Sequence, residues 1–214
     1  MSFDERRFFR IVRQALFSGR LSAAQVAGMT ALIAGWRRLC DSDDPRRLAY
    51  ALATAFHETG GRMQPVRETF APSDREVIAR LDRAYAAGRL PQVRRPYWRT
   101  DEDGKSWFGR GLVQITHRRN YQRLAEATGI DLIDDPGRAL DLDVAVRILV
   151  VGMRDGLFSG TRLADVFTRE TADWIGARRI VSGRDRAALV AGYGRAFLGA
   201  VTGKGAGVVK AEDG

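Results

Sequence analysis

Residues 55–70 read AFHETGGRMQPVRETF and place two glutamates, Glu58 and Glu68, ten positions apart. Apolar residues lead into Glu58, Gly60 and Gly61 then break the backbone, and Pro65 stiffens the return to Glu68. At about 100° per residue, Glu58 shares a helical strip with Ala51, Thr54 and Ala55, which are small enough to leave space in front of its carboxylate. Desolvation at the rim of an apolar face, and the negative end of the helix dipole, would favour a proton on Glu58. Glu68 lies among Arg67, Thr69 and Asp74, a polar setting that favours its charge. Two acids in opposed environments divide the work of glycoside cleavage into acid and base.

Working outward, helical signals dominate. Residues 3–17 carry apolar positions at Phe8, Ile11, Val12 and Leu16 before Gly19. Ser22 with Gln25 forms a capping-box pattern, followed by a stripe of Val26, Met29, Ile33, Trp36 and Cys40. Asp44 and Pro45 make an N-cap and first-turn pair for a helix ending near 57–59. Ser73 with Glu76 starts another, running towards Gly88. Further helices are expected over 117–128, 142–155, 172–180 and 185–201. Residues 90–106, LPQVRRPYWRTDEDGKS, form a polar loop long enough to suggest function. In WFGRGLVQITHRRNY (107–121), Val113 and Ile115 alternate with Gln114 and Thr116, which predicts an extended segment presenting an amide and a hydroxyl on one edge. Gly109 and Gly111 allow close approach of backbone or ligand. Trp98, Trp107 and Tyr97 suit either a core or stacking on sugar faces.

The chain has 214 residues, 45% of them hydrophobic, enough for one good core in one or two lobes. No repeat or Gly/Ser linker divides it, so residues 1–202 are expected to be one catalytic domain and 203–214 a flexible tail. No run of eighteen apolar residues could span a bilayer, and the charged start lacks the apolar core of a secretory signal. Cys40 is the only cysteine, which excludes an internal disulfide framework. The net charge is +9, and between positions 89 and 123 nine basic residues face only Asp101, Glu102 and Asp103. Such a patch suits a polyanion: nucleic acid, acidic lipid or cell-wall polymer.

HETGG (57–61), a second glutamate at Glu68 and FGRGLVQITHRRNY (108–121) together resemble glycoside hydrolase family 19, the chitinase and endolysin group, and most closely its phage and prophage lysins. The resemblance covers roughly residues 48–149 and continues weakly into ARRIVSGRDRAALVAGYGRAF (177–197). It implies a mainly α, lysozyme-like, two-lobed fold with a small β element beside the cleft. It assigns Glu58 as general acid and Glu68 as general base of an inverting hydrolysis, with carboxyl groups about 6.5–9.5 Å apart. Thr116 matches the hydroxyl that helps hold the attacking water; Gln114, Asn120 and Tyr121 match positions lining the sugar cleft. Arg110 in the same motif completes the substrate-side set with His57, which points about 100° away from Glu58 and is a supporting residue rather than a proton carrier. Ser182 stands where the family often has asparagine, and the short spacing between the acids leaves Asp74 and the Asp101–Asp103 cluster as fallback bases.

The expected substrate is the β-1,4 glycan of peptidoglycan, met by a monomer without cofactor, metal, nucleic acid or stable membrane insertion. Cytoplasmic synthesis followed by holin-type release would bring it to the wall. Chitin is the alternative substrate. Three other readings stand beside it: a zinc-dependent wall peptidase using His57, Glu58 and His117, although HETGG has Gly61 where a HExxH helix has its second histidine; a basic helical nucleic-acid-binding protein; and an inactive relative that only binds glycan.

Overall fold

The computed structural model describes residues 4–181 and 183–204. Ser182, Phe3 at the start of the first expected helix, and nearly all of the expected tail lie outside them. The protein is mainly α, with eight α-helices and one two-stranded antiparallel sheet among the described residues.

Local capping sets the first four helix starts. In α1 (Glu5–Leu16) Asp4 accepts from the Arg7 amide at 3.0 Å. In α2 (Ala23–Leu39) Ser22 and Gln25 form a complete capping box. In α3 (Pro45–Glu58) Asp44 caps with Pro45 in the first turn. The cap of α4 (Asp74–Ala86) is one half of a box, Ser73 accepting from the Glu76 amide. The chain continues through α5 (Arg118–Thr128), α6 (Leu142–Asp155), the short α7 (Leu163–Val166), which the sequence did not announce, and α8 (Ala187–Thr202).

The main core is built around α3, where Leu48 to Ala55 are all buried. α8 packs along α3, α2 packs on α6, and α1 packs on α8. A helix apolar on every side belongs in an interior. The strip of Ala51, Thr54 and Ala55 is therefore filled by packing, not left open before Glu58. A second, smaller cluster joins Ala71, Val77 and Leu81 to Trp98 of the long loop and to Phe108. Trp98 and Trp107 are core residues, 0% and 5% exposed, so neither is available to stack on a sugar.

Two expectations from periodicity fail. Residues 112–116 do not form an extended segment: β2 is only Arg110–Gly111, and Ile115 bridges back to Arg110. A tight turn results, opened by Gly111 at φ 115°, and Leu112, Val113 and Ile115 are all buried. Residues 172–180 do not form an α-helix. Ala172 bridges Phe167, and only Gly176–Ile180 makes a 3-10 turn, started by the Asp173 carboxylate accepting from the Gly176 amide at 2.7 Å.

Candidate active site

Glu58 is the last residue of α3. Gly60 (φ 56°) and Gly61 (φ 76°) then reverse the chain, and the Gly61 amide donates to the Phe56 carbonyl at 2.7 Å. Such left-handed C-caps satisfy the orphan carbonyls of a helix end. The buried Thr59 hydroxyl locks the turn, donating to the Ala55 carbonyl at 2.7 Å and accepting from the Met63 amide at 3.0 Å. Gln25, the capping residue of α2, donates to the Gly61 carbonyl. The position of Glu58 is thus tied to two helices.

Its carboxylate meets a partner that no local pattern suggests. Oε1 accepts from Arg178 Nη1 at 2.7 Å, with side chains 15% and 6% exposed. Arg178 also donates through Nε to the Asp185 carbonyl. Among the described residues, Oε2 of Glu58 has no hydrogen-bond partner. The setting of Glu58 is therefore a buried ion pair, not the apolar shelter expected from its neighbours in sequence.

Glu68 follows β1 (Val66–Arg67), which pairs antiparallel with β2, Val66 opposite Gly111 and Arg67 opposite Arg110. The Glu68 amide donates to the Gly109 carbonyl at 2.7 Å, and Glu68 Oε2 accepts from the Gly109 amide at 2.7 Å. Oε1 accepts from the Tyr97 hydroxyl at 2.7 Å. Burial, and the adjacent Glu68 carboxylate, push the Tyr97 phenol far above its ordinary range, so the shared proton stays on Tyr97. A carboxylate offers about four acceptor sites, so two donors leave room for a water.

Two of the fallback bases, Asp74 and Asp101, are engaged elsewhere. Asp74 is held between Arg67 Nε at 2.6 Å and Arg110 Nη2 at 2.9 Å. Burial alone would raise its carboxyl, but hydrogen bonds from Arg67 and Arg110 carry it below the ordinary value. Asp101 organises the loop, accepting from the amides of Lys105 and Asp103 and from the Trp107 indole.

Arg110 and Tyr121, expected on the substrate side, are interior residues, 1% and 0% exposed. Arg110 lies 3.6 Å above the Phe108 ring and donates to the Ser106 carbonyl, to Asp74 and to the Tyr121 hydroxyl. Tyr121 in turn donates to the Phe108 carbonyl. Their burial corrects the expectation of sugar contact: they brace the segment of residues 106–110 that carries Gly109. Gln114 is half-buried and donates through Nε2 to the Val66 carbonyl at 3.1 Å, behind the sheet. Thr116 is half-buried, its carbonyl accepting from Asn120 Nδ2 at 2.7 Å. His57 lies beside Tyr193 in a tilted ring pair, centroids 6.4 Å apart. Burial holds its imidazole below the ordinary value, only partly offset by the Glu58 carboxylate. Among the described residues no three His, Cys, Asp or Glu side chains are grouped to hold a metal.

A family model described as class I chitinase, glycoside hydrolase family 19, matches residues 30–150, more than half of the chain. The chain belongs to glycoside hydrolase family 19. It is a glycosidase by membership, and the match spans both glutamates and the whole of the β1–β2 wall. Among solved structures, chitinase C from Streptomyces griseus HUT6037 is 18% identical, with 94% of this chain and 76% of that chain covered at a TM-score of 0.53. A class IV chitinase from Zea mays is 16% identical, with coverage of 90% and 93% and a TM-score of 0.48. At such identity the first likeness is one of fold, and that fold is the lysozyme-like helical one of family 19.

Two site residues escaped the sequence reading. Arg178 lies outside the family match and 120 residues from Glu58. Its one signal was the Arg178–Arg179 pair in the closing segment. Tyr97 was visible only as an aromatic in a polar loop.

Proposed function

We propose that this family 19 glycosidase cleaves the β-1,4 bonds of bacterial peptidoglycan by inverting hydrolysis, with Glu58 as general acid and Glu68 as general base. The observation that carries the reading is the unequal anchoring of the two carboxylates. Glu58 is gripped through one oxygen by Arg178, which leaves Oε2 for the glycosidic oxygen. Glu68 is fixed by a phenol and a backbone amide, both oriented and neither able to take its charge away.

In the proposed step Glu58, charged beside Arg178 in the free enzyme, enters with a proton taken up from solvent and gives it to the glycosidic oxygen as the bond to the anomeric carbon breaks. Glu68 takes a proton from the water whose oxygen bonds to that carbon from the opposite face. Products are a free reducing end and a free hydroxyl, and the protons balance. Arg178 then faces the carboxylate that Glu58 has become. Thr116, next to the turn, is assigned to the attacking water, and Asn120 to the cleft rim. The concentration of positive charge between positions 89 and 123 favours an acidic glycan over a neutral one.

The second reading is chitin, favoured by the chitinase description of the family model. Purified protein incubated with peptidoglycan and with chitin oligomers, with and without EDTA, separates these by new reducing ends. Glu58→Gln and Glu68→Gln should each lose at least about two orders of magnitude, the usual share of a general acid or base. Normal turnover by Glu68→Gln would reassign the base, and new amines without reducing ends would make the protein a peptidase or amidase.

A further inference from the structure

We infer that the groove beside Glu68, walled by Arg94, Arg95, Tyr97 and His117, is a subsite for carboxylate substituents on the bound glycan. The inference rests on the peptidoglycan reading above and deepens it. A peptidoglycan strand carries carboxylates, through its lactyl ether and stem peptide, on every second sugar; chitin carries none.

The groove encloses about 680 Å³, and no acidic side chain lines it. Arg94 and Arg95 are exposed, and neither forms an ion pair among the described residues, whereas Arg67, Arg80, Arg99 and Arg110 around them are all matched to carboxylates. Two unmatched guanidiniums in one concavity present planar donor forks suited to a carboxylate.

The groove is joined to the reacting centre by a single residue. Tyr97 lines it and places its hydroxyl on Glu68 at 2.7 Å. The same ring lies 4.3 Å, centroid to centroid, from His117. His117 is held at φ 67° and ψ 136°, a backbone conformation unfavourable for a residue with a side chain. It persists because its amide donates to the Trp107 carbonyl and its carbonyl accepts from the Asn120 amide, each at 2.9 Å. Strain of this kind gathers where the fold must aim a side chain, and here it sets the imidazole at the mouth of the groove. Glu68 is not among the residues that line the groove, and its two oxygens accept from Tyr97 and Gly109.

The experiment compares kcat/KM, from release of reducing ends, on native peptidoglycan and on the same peptidoglycan with its carboxylates converted to amides. Wild type should prefer the native form at least fivefold, chiefly through KM, and the preference should shrink as salt is raised. Arg94→Ala/Arg95→Ala should lose that preference, Arg94→Lys/Arg95→Lys should retain most of it, and Arg13→Ala/Arg20→Ala, a remote removal of equal charge, should retain it. Equal turnover of the two forms by wild type, or a preference that survives in Arg94→Ala/Arg95→Ala, overturns the subsite. A preference lost equally in the remote variant also overturns it, reducing the effect to net charge. No reducing ends from either form would instead sink the peptidoglycan reading, and the subsite with it.

Discussion

Glu58 and Arg178 stand 120 residues apart in the chain and 2.7 Å apart in the fold, as a nearly buried ion pair. Removing one member of such a pair strands the other charge in a poorly solvated place. Arg178→Ala should lower stability by about 3 kcal/mol, the scale for a broken buried pair. Combining it with Glu58→Gln should recover part of that loss in urea unfolding while activity stays absent. If Arg178→Ala unfolds at the wild-type midpoint, the pair does not contribute as described.

Tyr97 donates to Glu68 with a phenol that keeps its proton far above neutrality. Hydrogen bonds to a charged partner contribute about 1.5–3 kcal/mol, so Tyr97→Phe should lower kcat by roughly tenfold or more. KM should change little, and the thermal midpoint should fall with the loss of that bond. Because the phenol does not ionise in this range, the ratio of wild-type to variant kcat should stay flat between about pH 6 and pH 9. A ratio collapsing towards one at the alkaline end would contradict the assignment.

Asp74 sits between Arg67 and Arg110, which hold its carboxyl below the ordinary 3.8 despite partial burial. The folded protein therefore takes up this proton less readily than the unfolded chain. Its contribution to stability is complete above about pH 4 and disappears as pH falls through the folded value. Asp74→Asn should lower the urea midpoint at pH 7, and the gap from wild type should narrow at pH 3. A gap that is unchanged between the two would show that charge is not what Asp74 supplies.

Gly28 in α2 faces the turn that follows Glu58: a β-carbon there would lie 1.7 Å from the Met63 carbonyl oxygen and 2.8 Å from its carbon. Backbone cannot swing aside as a side chain can. Gly28→Ala should cost about 2–3 kcal/mol, in the range for overpacking, and should reduce turnover as the segment between the two glutamates shifts. Wild-type unfolding and kinetics together would mean that α2 and this turn separate freely.

The sites legible beforehand were those announced by local chemistry. Asp44 and Pro45, Ser22 and Gln25, and the Gly60–Gly61 break all act within four residues of themselves, where hydrogen-bond reach and backbone sterics leave little freedom. Both glutamates could be placed at breaks in the backbone for the same reason. Alternation at 112–116 misled because the chain turns locally at Gly111, so that Ile115 bridges back to Arg110 and an apparent strand becomes a tight bend. Tyr121 and Arg110 were expected at the sugar because the resemblance places their motif along the cleft; burial against Phe108 shows them bracing the wall.

By itself, then, the sequence determined most of the longer helices, the caps of the first four, the family and the two acids that the backbone interrupts itself to present. Tertiary structure alone decided what each acid touches: Arg178 for Glu58, Tyr97 and Gly109 for Glu68. Capping acts over a few bonds and can be read from neighbours. The surroundings of a carboxylate are set by groups that the 3-10 turn at Gly176–Ile180, the long loop and the segment before β2 bring to α3 and β1 only when the core closes, and no residue spacing records which of them will arrive.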